Sequence, residues 1–226
     1  MWVLDHIYPV LAATNQDQIF QSVSPESVGI SEDRLQRIDK YFKKTIEENI
    51  IPGAVTLIVK DGKIVYNKAF GNENVSEEVK FKKDNIFRIA SMTKAITSLA
   101  VMMLWEDGNF TLDDPIEKFI PEFKNHKIVK KFNKNDSTYT SVKANKKITV
   151  RHLLTHSSGL GYGFIDSNPE MKAIFAKKNK KFMDNGVMCF CDEDVKIENI
   201  IKNIGKYPLH HEPGKQFTYS VGLDVL

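Results

Sequence analysis

Hydrophobic residues along this chain change period several times, and each change marks an element. Leu35, Ile38, Phe42 and Ile46 recur at helical spacing behind Ser31, a good N-cap residue, with Glu32 and Asp33 in the first turn. The pattern predicts an amphipathic helix over 32–48, stopped by Pro52-Gly53. Two β-rich runs follow, 54–60 and 63–70, joined by Asp61-Gly62, a dipeptide that favours the type I′ turn of a tight hairpin. Gly71 is expected to end the pair, and the charged residues up to Asn85 read as loop.

From Ile89 to Trp105 the chain is apolar on nearly every side at helical spacing, with Lys94 the only charge. A helix of that kind is expected to be buried. The run falls short of the roughly 18 apolar residues of a membrane span and is broken by Thr93, Lys94, Thr97 and Ser98, so no transmembrane segment is expected. Gly108 suits its C-terminal cap. Farther on, Pro115 falls near the first turn of a short helix that begins at Leu112. Residues 124–147 read as an exposed excursion. Thr149 should cap a helix over 150–156 that Gly159 stops, with further helices within 164–185 and over 195–204. Pro213-Gly214 marks a turn, and another helix begins near Ser220. The sequence stops one or two turns into that helix, and one hairpin cannot cover its own apolar faces. Both features lead to the expectation of further strands after Leu226.

Composition narrows the function classes. The chain has 226 residues, 42% hydrophobic and 27% charged, with a net charge of +3. That balance suits a globular domain and gives no reason to expect a nucleic-acid partner. Lysines cluster at Lys127, Lys130, Lys131, Lys134, Lys143, Lys146 and Lys147, and again at Lys177, Lys178, Lys180 and Lys181. No aromatic residues are interleaved regularly enough to make a stacking platform, so both clusters read as solvated loops. Cys189 and Cys191 are too close for good disulfide geometry, and no zinc-binding spacing surrounds them. His210-His211-Glu212 also lacks metal-ligand spacing, so neither metal nor cofactor is expected. Residues 1–23 read as an N-terminal extension or a degraded signal, and 24–226 as one domain.

Candidate chemistry lies at Ser91 and Lys94. Residues three apart on a helix share a face, and a lysine in apolar surroundings loses its proton more easily. A serine beside such a base is a nucleophile, which points to a serine hydrolase or acyltransferase. The same four residues also fit a lysine snorkelling from a core helix. His156 offers an alternative base for Ser91, but the chain has no Gly-x-Ser-x-Gly elbow.

Three motifs occur in order: Phe87-Arg-Ile-Ala-Ser-Met-Thr-Lys94, Leu153-Leu-Thr-His-Ser-Ser-Gly-Leu160 and Glu212-Pro-Gly-Lys-Gln-Phe-Thr-Tyr-Ser220. Together they resemble the serine β-lactamase and penicillin-binding-protein superfamily. The resemblance is to its class C-like branch, with family VIII esterases, D-alanyl-D-alanine carboxypeptidases and D-aminopeptidases. It spans residues 24–226 and implies an α/β (α+β) fold. In that fold an antiparallel sheet, begun by the 54–70 hairpin, is flanked by helices, with a mainly helical region over 91–226.

The resemblance also implies roles. Ser91 would form an acyl-enzyme, Lys94 would take or relay its proton, and Tyr219 would shuttle that proton to the leaving group. The Ser91 N–H would supply half of an oxyanion hole. His156 would orient a turn, and Arg88 would anchor the entry to the Ser91 helix. Tyr162 would line the cleft or pack beside it. Val221 stands in a substrate-binding position where β-lactamases and penicillin-binding proteins carry Asn, which makes penicillin turnover less expected than ester or small-peptide hydrolysis. A Lys-Thr-Gly or His-x-Gly motif belongs on a later strand, so the chain as it stands is expected to be weakly active or inactive. The implied partner is a small ester, D-amino-acid peptide or β-lactam-like amide. The alternative is a non-catalytic relative that binds peptide or peptidoglycan ligands in the same cleft. Family habit favours an exported or periplasmic protein over a cytoplasmic one, and oligomeric state is not indicated.

Overall fold

The computed structural model describes residues 20–163, 166, 168–178 and 196–226. Residues 1–19, part of the suggested leader, lie outside them, as do Cys189, Cys191 and positions 179–185 of the lysine-rich helix. The chain divides into two compact units, one ending at Arg88 and the other beginning at Ile89.

In the first unit the Ser31 side chain accepts the Arg34 N–H at the start of α1 (Glu32–Glu47). Strands β1 (Gly53–Lys60) and β2 (Lys63–Asn74) pair antiparallel around Asp61 and Gly62, whose φ values of 49° and 70° are those a type I′ turn requires. Gly71 ends the β1–β2 pairing as expected, opposite Gly53, but β2 itself continues to Asn74 and meets a third strand, β3 (Val79–Lys80), within the stretch expected to be loop. Gly71 also lets two backbones approach: at φ 70° its missing Cβ would lie 2.3 Å from the Pro52 carbonyl oxygen. The Asn74 side chain accepts the Ser76 and Glu77 N–H groups and so builds the β2–β3 turn within what reads as loop. Leu35, Val65 and Tyr66 form the buried core between α1 and the sheet, and Phe42 stacks on Phe70 at 5.3 Å between centroids.

The second unit opens with a 3-10 turn, Ala90–Met92, that feeds α2 (Thr93–Glu106). Gly108 follows in the left-handed conformation, as expected of a terminating glycine. The expectation that α2 is buried on all sides is not met. Val101 is its one buried residue, while Ile96, Leu99 and Met103 are 62%, 59% and 51% exposed. Pattern alone signals an apolar helix; what covers it is a tertiary matter.

Pro115 does begin a turn, but a single 3-10 turn over Ile116–Lys118 rather than a helix. The 124–147 stretch is also not a featureless excursion: β4 (Lys127–Asn133) and β5 (Thr138–Lys143) form an antiparallel hairpin. Its lysine-rich strands bury little, so no alternation marks them. Main-chain bonds between Leu209 and Lys127 and between Val129 and Leu209 tie the hairpin to the rest of the unit.

A capping box formed by Thr149 and His152 starts α3 (Val150–Leu154). This helix stops before His156, which takes a positive φ of 52°. Helices α4 (Pro169–Lys178), α5 (Ile197–Ile204) and α6 (Gly222–Val225) follow. The core gathers Ile116, Phe123, Ile148, Leu153, Leu160 and Leu209. Among the described residues no helix is long and apolar enough to cross a membrane.

Candidate active site

Ser91 sits in the 3-10 turn just before α2, behind Ala90, a non-glycine residue with φ 45°. Such conformations cost energy, and proteins keep them where geometry matters. The Tyr219 hydroxyl donates to Ser91 Oγ at 2.8 Å, across 128 residues of sequence. Several contacts fix Tyr219. The Thr218 N–H donates to the His156 carbonyl at 2.8 Å, and the Ser220 N–H donates to His156 Nδ1 at 3.1 Å. The Tyr162 ring stacks on Tyr219 at 5.3 Å and 9°, and the His156 ring lies 4.8 Å away.

An Nδ1 that accepts a main-chain N–H carries no proton. Burial, reinforced by the nearby charge of Lys94, holds the His156 pKa below the ordinary histidine value. His156 is thus a neutral ring with its proton on Nε2, engaged in orienting the segment that carries Tyr219.

Lys94 Nζ lies 5.2 Å from the Tyr162 ring centroid and 5.6 Å from that of Tyr219, and its side chain is 14% exposed. Lys94 departs from the expectation of an easily lost proton. Burial does disfavour the ammonium, but the Asp224 carboxylate, then Tyr162 and Tyr219, favour it more strongly. The pKa therefore lies above the ordinary lysine value. Apolar surroundings were inferred from the neighbours of Lys94 in sequence; its neighbours in space are polar.

Val221 is 5% exposed and belongs to the hydrophobic core, with its N–H donating to the Gly161 carbonyl at 3.2 Å. Its side chain packs and offers no hydrogen bond.

Three acidic residues with no assigned role in the sequence make defined contacts in this unit. Asp166 Oδ2 meets His210 Nε2 at 2.8 Å and accepts the Tyr162 N–H at 3.3 Å, which ties the stacking tyrosine down. Glu212 accepts from the main chain of Asn145 and Lys146 and from the Asn145 amide. Asp224 lies 3.7 Å from Lys94. Glu212 was visible inside a motif, but no local signal marks the other two. Among the described residues no cluster of three His, Cys, Asp or Glu side chains could hold a metal ion.

The same segments are those matched by the beta-lactamase family model, which covers residues 38–226. The chain belongs to the beta-lactamase family. Within that family it is 32% identical over 191 residues to protein flp of Staphylococcus aureus (strain N315), a match over 84% of this chain and 32% of that protein. Esterase EstB of Burkholderia gladioli is 28% identical over 190 residues, covering 84% of this chain and 43% of the esterase. Simvastatin synthase (LovD) from Aspergillus terreus has a similar fold, with a TM-score of 0.67 at 24% identity over 86% of this chain and 46% of that one. This beta-lactamase-family chain thus spans between about a third and a half of the length of each of these proteins.

Proposed function

We propose that this chain carries the acyl-transfer centre of a serine hydrolase that acts on small esters or amides. The observation that carries the reading is the 2.8 Å hydrogen bond between Tyr219 and Ser91 with the Lys94 ammonium beside the tyrosine ring. Ser91 Oγ would attack a substrate carbonyl and form an ester with the acyl group. Tyr219 would return the serine proton to the departing alcohol or amine. The main-chain N–H of Ser91, at the head of α2, would meet the developing oxyanion, helped by the positive end of the helix dipole. Packing of Val221 where penicillin-handling relatives present an amide, together with the similarity to an esterase, favours esters as the acyl donor.

A fluorophosphonate probe tests this directly, because it phosphonylates an activated serine once and needs no turnover. The expected result is a single adduct, mapped to Ser91 by mass spectrometry, lost in Ser91→Ala and slowed at least tenfold in Tyr219→Phe. Labelling that persists in Ser91→Ala would overturn the proposal. Binding of a peptide ligand with no covalent mass gain would favour the non-catalytic alternative.

A further inference from the structure

Lys94 has a carboxylate neighbour that lies beyond all three sequence motifs. Asp224 is on α6, five residues after Tyr219. Its Oδ2 stands 3.7 Å from Lys94 Nζ, an ion-pair distance too long for a hydrogen bond. That oxygen is buried and accepts no hydrogen bond from any described group. A buried carboxylate oxygen without a donor is costly, and a positive charge within reach offsets the cost.

Among the described residues, the other titratable groups around the amine are the phenols of Tyr162 and Tyr219 and the neutral ring of His156. Asp224 is thus the carboxylate that acts on Lys94, while burial pushes the Asp224 carboxyl itself up and the Lys94 charge pulls it back.

We propose that Asp224 is a positioning residue that holds Lys94 as an ammonium beside the Ser91–Tyr219 pair, so that Lys94 acts by its charge and Tyr219 takes the serine proton. This rests on the reading of Ser91 as a nucleophile. In the step so described, the Ser91 O–H bond breaks as the Oγ–carbon bond forms, and the serine proton passes to the Tyr219 oxygen. The Tyr219 O–H proton passes to the leaving group as the bond to that group breaks, so the phenol ends as it began.

The pairing can be read without any activity. The full chain is treated with trace acetic anhydride across a pH series, beside a free lysine peptide as internal standard, and acetylation of Lys94 is followed by mass spectrometry. In the wild type the Lys94 midpoint should lie above that of the standard. In Asp224→Asn it should fall by about one pH unit or more, and Asp224→Glu should retain most of the wild-type value. Circular dichroism shows whether each variant is folded, and the glutamate variant keeps the test open if the asparagine variant is not. An unchanged midpoint in a folded Asp224→Asn would overturn the pairing.

The pH profile of fluorophosphonate labelling then reads the role. Its loss at high pH should move down in Asp224→Asn by the same amount as the Lys94 midpoint. Faster labelling of Asp224→Asn at neutral pH would show that neutral Lys94 is the working form and would sink the assigned role. Absence of Ser91 labelling in the wild type would refute the nucleophile reading and the reaction role with it, while the acetylation midpoint would still decide the pairing.

Discussion

Asp166 and His210 face each other with side chains 3% and 8% exposed, and Asp166 also accepts the N–H groups of Tyr162 and Asn168. Burial alone would raise its pKa, but the His210 bond and these donors outweigh burial and lower it. The sign for stability follows. The unfolded chain takes up the proton at a higher pH than the native one. The contribution of Asp166 is therefore complete above the ordinary aspartate value and is lost as pH falls through the lower native value. Asp166→Asn should cost about 1–3 kcal/mol near neutral pH and flatten the acid limb of a plot of stability against pH; urea titrations at several pH values check both. A steep acid limb that survives the substitution would assign it to other groups. Residues of this kind explain where sequence reading stops. Ser91 and Lys94 stand three apart in sequence and Tyr219 sits inside a motif, so all three were legible as candidates. The partner of Asp166 lies 44 residues away, and only the fold brings it near.

Among the elements, those set by local chemistry were readable and those set by packing were not. Ser31, Asp61-Gly62 and the Thr149 cap were visible because each acts on its immediate backbone. The β4–β5 hairpin was missed because its exposed, lysine-rich strands carry no alternation, and β3 because its turn is made by one Asn74 side chain. Two glycines with the same φ of 70° separate turn chemistry from close approach. A methyl group on Gly62 would meet nothing within 4 Å, whereas on Gly71 it would meet the Pro52 carbonyl and the Gly53 Cα. Gly62→Ala should therefore cost about 1–2 kcal/mol, the left-handed penalty alone. Gly71→Ala should cost at least about 2 kcal/mol more through the clash. Thermal melts of the two variants give the comparison, and equal losses would mean that the Pro52 segment simply moves aside.

For the whole molecule, α2 is the clearest departure from a periodicity argument. An all-round apolar helix with Ile96, Leu99 and Met103 exposed forms a sticky surface on this chain. Ile96→Lys with Leu99→Lys should reduce dye binding and self-association in sedimentation, and should change stability by no more than about 0.5 kcal/mol per site. A loss of several kcal/mol would instead show that a neighbour covers the helix in solution. Fold class and motif order were readable because they depend on the chain's own succession of elements. Coverage of α2 was not, since it depends on surfaces remote in sequence.

The bond between Tyr219 and Ser91 also sets a timetable. A ribosome adding roughly 5–20 residues per second makes Ser91 some 6–25 s before it makes Tyr219. During that interval the nascent serine lacks the phenol that bonds to it in the folded chain. If Ser91 is the nucleophile proposed above, this pair cannot act until translation has moved on past the tyrosine, and the order of synthesis itself delays its activation.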